Sequence, residues 1–446
     1  MSLNRRHFGA LGLALLASIG GAAHTAALAQ DKTEITVQRF FGTCDTDYAT
    51  ETDPMKASGE CGIITAMINK FNAESTTTKV VPRIVEWPGY DQLTAQYGSR
   101  DLPTLVTMHQ SVISDYQSRN LIMPIDDLLV QAGVDKADMI AASANGVTRN
   151  GQTWALPIDN NLIAWHINLN LFREAGLVKE DGTPILPTST AELYEQAEKF
   201  TAATGKPYFV LALSNDASGV ARMVYSLLDQ QNSPYFADVT KVDFSGPEGA
   251  NAINWIKDLT DKGLASKNDD YAAATGAFSN GDAGVYIQGT WILGDYVAQS
   301  EKEGSPLYNG YYVVPFQQFF DGRNASWTDG HTWAMPTQEL SDAQKASVAE
   351  FMKFWWDNSF AWARTGHIPP SASVFASEEF VSLPQRHSFG TLPDSLVGLP
   401  EGVIRQFSIM QLIGEEASSA INGDKSTEEA LADAESRINE LLANAQ

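Results

Sequence analysis

The sequence predicts an α/β protein of two lobes, each a sheet flanked by helices, joined by a hinge where the chain crosses from one to the other. Short β-type runs alternate with helical ones along most of the 446 residues, the pattern of layered α/β architecture. The stretch 150–177, NGQTWALPIDNNLIAWHINLNLFREAGL, reads as a loop, a strand and a helix passing between lobes that close on a ligand. The length suffices for two domains, and no internal repeat or low-complexity linker breaks the chain beyond its N-terminal stretch.

The elements follow in order. Residues 34–41 form a first strand, with Ile35 and Val37 alternating with polar neighbours. A helix at 63–71, a strand at 79–85 and a helix at 90–97 come next. A strand at 102–109 then ends in a polar cluster, with helices at 114–120 and 125–129. Asn150-Gly151 favours a tight turn because glycine tolerates positive φ. Trp154, Leu156 and Ile158 alternate after it, and Pro157, lacking an N–H, puts that run at a sheet edge or a strand end. Asp159, Asn160 and Asn161 form a polar knot before the apolar run 162–165. A short helix at 168–177 buries Leu169, Phe172 and Leu177 and is closed by Gly176. The plain reading of this stretch is a surface turn between two strands; the sharper one is a ligand site, since open α/β sheets bind ligands where strands end. Downstream, Ser189 with Glu192 matches a capping box, and a helix at 348–362 carries Trp355 and Trp356. The last helix, capped by Ser426 and Glu429, turns Leu431, Ala434, Ile438, Leu441 and Leu442 to one side.

Asn4-Arg5-Arg6-His7-Phe8 precedes a Gly/Ala/Leu stretch that ends in Ala27-Leu28-Ala29, so residues 1–29 are expected to be an export signal cleaved after Ala29. Paired arginines ahead of a glycine-diluted core resemble a twin-arginine signal. The expected compartment is the periplasm. The chain carries 54 acidic against 30 basic residues, a net charge of −24, which argues against nucleic acid and anionic membranes as partners. Nothing after Ala29 has the unbroken apolar length of a spanning helix.

Cys44 and Cys61 are the only cysteines, and in an oxidising compartment so close a pair reads as one disulfide. It would close the acidic loop CDTDYATETDPMKASGEC. Asp45, Asp47, Glu51, Asp53 and Glu60 lie inside it, but their spacing does not match an EF-hand, so a solvated loop without metal is expected.

The segments PTLVTMHQSVISDYQSRNLIMPIDDLL, PTSTAELYEQAEKF, FSNGDAGVYIQGTW, HTWAMP and EFMKFWWDNSFAWARTGHIPP, with 150–177 and in this order along the chain, carry a resemblance. The chain resembles an extracellular solute-binding protein of a carbohydrate ABC importer, of the maltose-binding-protein-like type. That resemblance implies a two-lobed periplasmic-binding-protein fold of type II, with an N-terminal lobe of 31–160 plus 306–358 and a C-terminal lobe of 161–305 plus 359–446. It also implies a carbohydrate ligand, permease subunits as partners and a monomeric protein. Carried onto matching positions, His109, Gln110, Asp159 and Asn161 become hydrogen-bonding candidates and Trp291 a platform for a pyranose face. Phe41, Trp87, Tyr90, His331, Arg364 and His367 are further ligand-binding candidates. A sugar has an apolar C–H face and a polar rim, so an aromatic ring with planar amides and carboxylates satisfies both. The alternative for each tryptophan is core packing.

Other functions were weighed on the residues. A glycoside hydrolase needs two placed carboxylates, and none of the 54 acidic residues is singled out as a pair. The histidines beyond the signal lack metal-ligand spacing such as H-E-x-x-H, and no nucleophile elbow or phosphate-cradling glycine loop is present. No catalytic residue, metal or cofactor is therefore expected. A polyamine or iron(III) carrier is the rival within the binding class, and an acidic sugar would call on Arg222 or Arg364 as anion partner.

Overall fold

The computed structural model describes residues 31–445 apart from 45, 234, 390–394, 399 and 401, so the expected export segment lies outside the described residues. The first sheet has the strand order Thr78–Ile84, Thr33–Arg39, Leu105–His109, His331–Ala334, Ala155–Pro157. Its first three strands run parallel, and His331–Ala334 runs antiparallel to both of its neighbours. Ala155–Pro157 takes the edge, as the missing N–H of Pro157 requires. Helix Gly59–Glu74 buries Ile63, Ile64, Met67 and Phe71, and Trp333, Trp355 and Trp362 complete the same core.

The second sheet is built around strand Asn161–Asn168, all eight residues of which are buried. Antiparallel partners Val285–Gly289, Tyr311–Pro315 and Ser326–Asp329 flank it; Phe209–Val210 and Leu396–Val397 extend the sheet in parallel at its two ends. Period-two alternation divides the central strand between two cores: Ile163, Trp165 and Ile167 face one, Leu162 and Ala164 the other. A strand covered on both faces is expected to be almost continuously apolar, and NLIAWHIN nearly is.

Residues 306–330 were assigned to the N-terminal lobe, yet Tyr311–Pro315 and Ser326–Asp329 hydrogen-bond into the second sheet. Ala361 and Trp362, assigned to the C-terminal lobe, pack in the first core. The single helix expected at 348–362 is two: Asp342–Asp357 stops at Asn358, and Ser359–Ala363 restarts beyond it. At the ends of helices, Ser426 and Glu429 form a complete capping box, whereas Ser189 caps the Glu192 N–H but the Glu192 carboxylate turns back to Thr188.

Over the described residues the chain thus crosses between lobes three times, at 158–160, at Gly330 and just after Trp362. These crossings lie side by side. Asn160 and Ile368 form an antiparallel bridge, the Ile158 N–H donates to the His331 carbonyl at 2.7 Å, and the Gln110 N–H donates to the Gly330 carbonyl at 2.8 Å. Gly330 allows this crowding, because a Cβ there would sit 2.2 Å from the Asp159 carbonyl oxygen and 2.4 Å from Gln110 Nε2. Cys44 and Cys61 are bonded, with Cα atoms 5.8 Å apart.

Two outcomes are expected. Gly330→Ala should lower the unfolding free energy by roughly 1–3 kcal/mol through overpacking; a denaturant midpoint equal to that of the parent would show that the crossing has slack. Replacing Cys44 and Cys61 together by serine should cost roughly 3 kcal/mol of unfolding free energy, the value for closing a loop of this length in the unfolded chain. Chemical denaturation under oxidising and reducing conditions measures it.

Candidate ligand-binding cleft

Where strands end at the hinge, the first lobe presents an aromatic and imidazole wall. Phe40 and Phe41 follow strand Thr33–Arg39, and the Phe40 ring stacks on His109 at 5.2 Å. Phe41 meets His331 and Trp362 edge-on, each at 5.0 Å. Tyr90 opens helix Tyr90–Ser99; its hydroxyl is hydrogen-bonded to His109 Nδ1 at 2.6 Å and accepts from the His109 N–H at 3.0 Å. Burial, together with the nearby His331 and Arg222, pushes the His109 pKa well down, so its ring stays neutral.

Asp159 is fully buried and gathers the hinge. Its carboxylate accepts from the His331 N–H at 2.9 Å, from His331 Nδ1 at 2.9 Å and from Trp362 Nε1 at 2.6 Å. Burial alone would raise its pKa, but the two imidazoles of His331 and His367 with the Trp362 N–H outweigh that and hold it below the usual carboxylate range. His331 is raised in turn: burial opposes its charged form, and Asp159 more than offsets burial. His367 Nε2 lies 2.7 Å from Glu60 Oε1 and 3.9 Å from Asp159 Oδ2. The disulfide ties Cys61, next to Glu60, back to the start of the bridged loop, and Arg364 Nη1 donates to the Pro54 carbonyl at 2.7 Å within that loop. Asn69 donates to the carbonyls of Tyr48, Ala49 and Glu51. The loop is largely solvent-exposed, as expected, but it is also pinned to the lobe, and it delivers Glu60 to the histidines.

The second lobe answers with a stack. Arg222, on helix Ala217–Gln230, lies between the rings of Trp291 and Trp327 at 5.0 and 4.8 Å. Trp291 Nε1 donates to the Tyr271 hydroxyl at 3.2 Å. Arg222 is 9% exposed, its Nε has no hydrogen-bond partner, and among the described residues no carboxylate pairs with it. Burial lowers its pKa, but a guanidinium remains charged.

The two walls approach each other. Phe407, at the start of helix Gln406–Asn422, has its ring 5.8 Å from both Trp87 and Tyr90. Arg405 pairs with Asp115 at 3.4 Å, and a Cβ on Gly59 would lie 3.6 Å from Asp295 Oδ1. Between the lobes beside the hinge is a cavity of about 370 Å³, lined by Gln110, Ser111 and Asn145 from one side and Trp327, Asp329 and Met410 from the other. That volume is in the range of small-solute pockets.

The sequence candidates therefore separate. Phe41, His109, Gln110, Asp159, His331 and His367 gather at the hinge, whereas Trp291 packs in the second lobe against Arg222 and Tyr271. Asp159 is occupied by protein donors, and Arg364 by loop carbonyls, so neither presents an unpaired group of the kind a solute needs. Gln110 donates to the Asp159 carbonyl at 3.1 Å and to Asn160 Oδ1 at 3.3 Å. Asn161 is 3% exposed, and its side-chain oxygen is buried without a partner. Trp87, 50% exposed, marks the contact with Phe407. Trp327, Tyr271, Phe407 and the convergence of Glu60 with two histidines went unread; a tryptophan three residues before Gly330 was the nearest available signal for the first.

With this geometry established, comparison with known proteins is informative. A model of the bacterial extracellular solute-binding protein family matches residues 66–387. The sn-glycerol-3-phosphate-binding periplasmic protein UgpB of Pectobacterium atrosepticum is 21% identical over 411 residues, covering 86% of this chain and 89% of its own. The GacH receptor of Streptomyces glaucescens, solved unliganded and with acarbose, superposes with a TM-score of 0.76 at 19% identity, over 93% of this chain and 99% of that one. UgpB of Mycobacterium tuberculosis in complex with glycerophosphocholine superposes with a TM-score of 0.68 at 17% identity, over 85% and 94%. The two-lobed fold is shared with these proteins, and the chain belongs to the bacterial extracellular solute-binding protein family.

Proposed function

We propose that this protein is the periplasmic substrate-binding component of an ABC importer, a monomer that closes its lobes on a sugar or glycoside and presents it to the permease subunits. The observation that carries the reading is the pairing of a Trp291–Arg222–Trp327 stack in the second lobe with a Phe41, His109 and His331 wall in the first, Arg222 lying near enough to His109 to lower its pKa. A sugar ring needs an apolar platform and polar groups at its rim on the opposite side, and each lobe alone offers only part of that set. Closure is then a population shift, since a ligand that touches both walls binds the closed form better than the open one.

A second reading, an anionic polyol such as a sugar acid or a glycerol phosphate ester, is favoured by one observation. Arg222 is a buried guanidinium without a carboxylate partner among the described residues, and a planar fork of donors matches carboxylate or phosphate oxygens. The relatives divide along the same line, one binding sn-glycerol 3-phosphate and another solved with acarbose.

A thermal-shift panel of neutral mono- and oligosaccharides, sugar acids and glycerophosphodiesters tests both. A rise in melting temperature with neutral sugars supports the first reading, and a rise confined to anionic polyols supports the second; stabilisation only by a polyamine or by ferric iron would overturn both. Against a hit from that panel, Trp291→Ala should weaken binding about ten-fold, the equivalent of roughly 1.4 kcal/mol of lost ring stacking, with little change in melting temperature. Calorimetry on Arg222→Met separates the readings further: affinity for an anionic solute collapses, whereas affinity for a neutral one changes modestly.

A further inference from the structure

We propose that Glu60, His331 and His367 form a binding site for a divalent transition-metal ion of the zinc class at the hinge, beside the first-lobe wall of the cleft. This goes beyond the solute reading and does not rest on it. One donor atom from each of the three residues lies within 4.8 Å of the others. The two imidazole rings are 5.3 Å apart and nearly perpendicular, and His367 Nε2 is already 2.7 Å from Glu60 Oε1. Modest side-chain adjustment brings three donors around one ion.

The surroundings are those of a metal site. Asp159 is a carboxylate and accepts from His331 Nδ1, which fixes the tautomer with the proton on Nδ1 and leaves the Nε2 lone pair for coordination. Such carboxylate–histidine pairs are the usual outer support of a metal-bound imidazole, and Asp159 is itself oriented by Trp362 Nε1. His367 is completely buried, and its polar engagement is at Nε2, toward Glu60 and Asp159. Glu60 adjoins the disulfide-bonded Cys61, so the third donor is tethered as well.

Charge balance leads to the same conclusion. Glu60 and Asp159 are two carboxylates whose ion-pair partners among the described residues are these two histidines alone. Asp159 is fully buried and Glu60 partly so, and a dication between the histidines would complement both carboxylates. Two imidazoles with one carboxylate suit zinc, cobalt, nickel or copper, whereas magnesium and calcium prefer oxygen ligands throughout. Three protein ligands leave one position to water or to an oxygen of a solute in the cleft.

The test uses the purified protein, stripped with a chelator and titrated with ZnCl2 by calorimetry, with CoCl2 as a spectroscopic probe. One equivalent of Zn2+ should bind saturably, and Co2+ should show the intense ligand-field absorption of a low-coordinate nitrogen–oxygen site. Losing even an outer partner of a metal ligand costs roughly 10- to 100-fold in affinity, so Glu60→Gln and His367→Gln should each lose at least that much. Glu60 is partly exposed, so Glu60→Gln carries the test should His367→Gln fold poorly. The proposal is overturned if the parent protein binds no stoichiometric Zn2+, if Glu60→Gln binds as the parent does, or if Ca2+ and Mg2+ compete on equal terms. Solute affinity measured with and without Zn2+ keeps the two questions apart: solute binding that persists in chelator leaves the proposed function standing whichever way the metal titration falls.

Discussion

The carboxylate of Asp159 is the constraint on which the rest of this structure depends. It stands on the first crossing, accepts from the first residue after the second crossing, and accepts from Trp362 just before the third. Three separate passes of the chain are held in register by one buried group. A buried charge is tolerated only when donors satisfy it, and here the donors are the hinge itself. The geometry of the hinge and the ionisation of Asp159 are therefore one property: each histidine placed beside it is there because the chain crosses there.

From that point the cleft follows. The first sheet ends its parallel strands at Phe40, Phe41 and His109; the second returns Trp327 and Asp329 to the same level just before the crossing at Gly330. Asp329 accepts from the Ser111 N–H at 3.0 Å and the Ser111 hydroxyl at 2.6 Å, a second tie between lobes beside the first. The aromatic rings on either wall are thus carried on strand ends and helix starts rather than on long loops, which keeps the distance between them fixed within each lobe and variable only through the hinge.

Much of this could be read in the sequence where the physics is local. Asn150-Gly151 does turn with positive φ at both residues, Pro157 does occupy a sheet edge, and Ser426 with Glu429 does close a capping box. What could not be read was the choice of partner. Tyr311–Pro315 and Ser326–Asp329 look like strands of either lobe, since alternation shows that a strand is half-buried but not against which neighbour. Glu60, His331 and His367 share no spacing, and no sequence motif contains them, because two crossings and the disulfide-bridged loop bring them together. Arg222 could be named from sequence as an anion partner, but not its enclosure by two tryptophans from distant strand ends.

Phe407 carries a last consequence. Its ring packs against both main cores at once, from the second-lobe helix Gln406–Asn422 onto Trp87, Tyr90 and His109 of the first lobe. Swinging the lobes apart must peel this ring off its neighbours and wet it, at a cost of about 1–2 kcal/mol for a partly buried phenyl group. That is enough to move an open–closed equilibrium by about ten-fold. On the proposed closure, Phe407 would be a latch present before any solute arrives, one that favours the closed form independently of ligand.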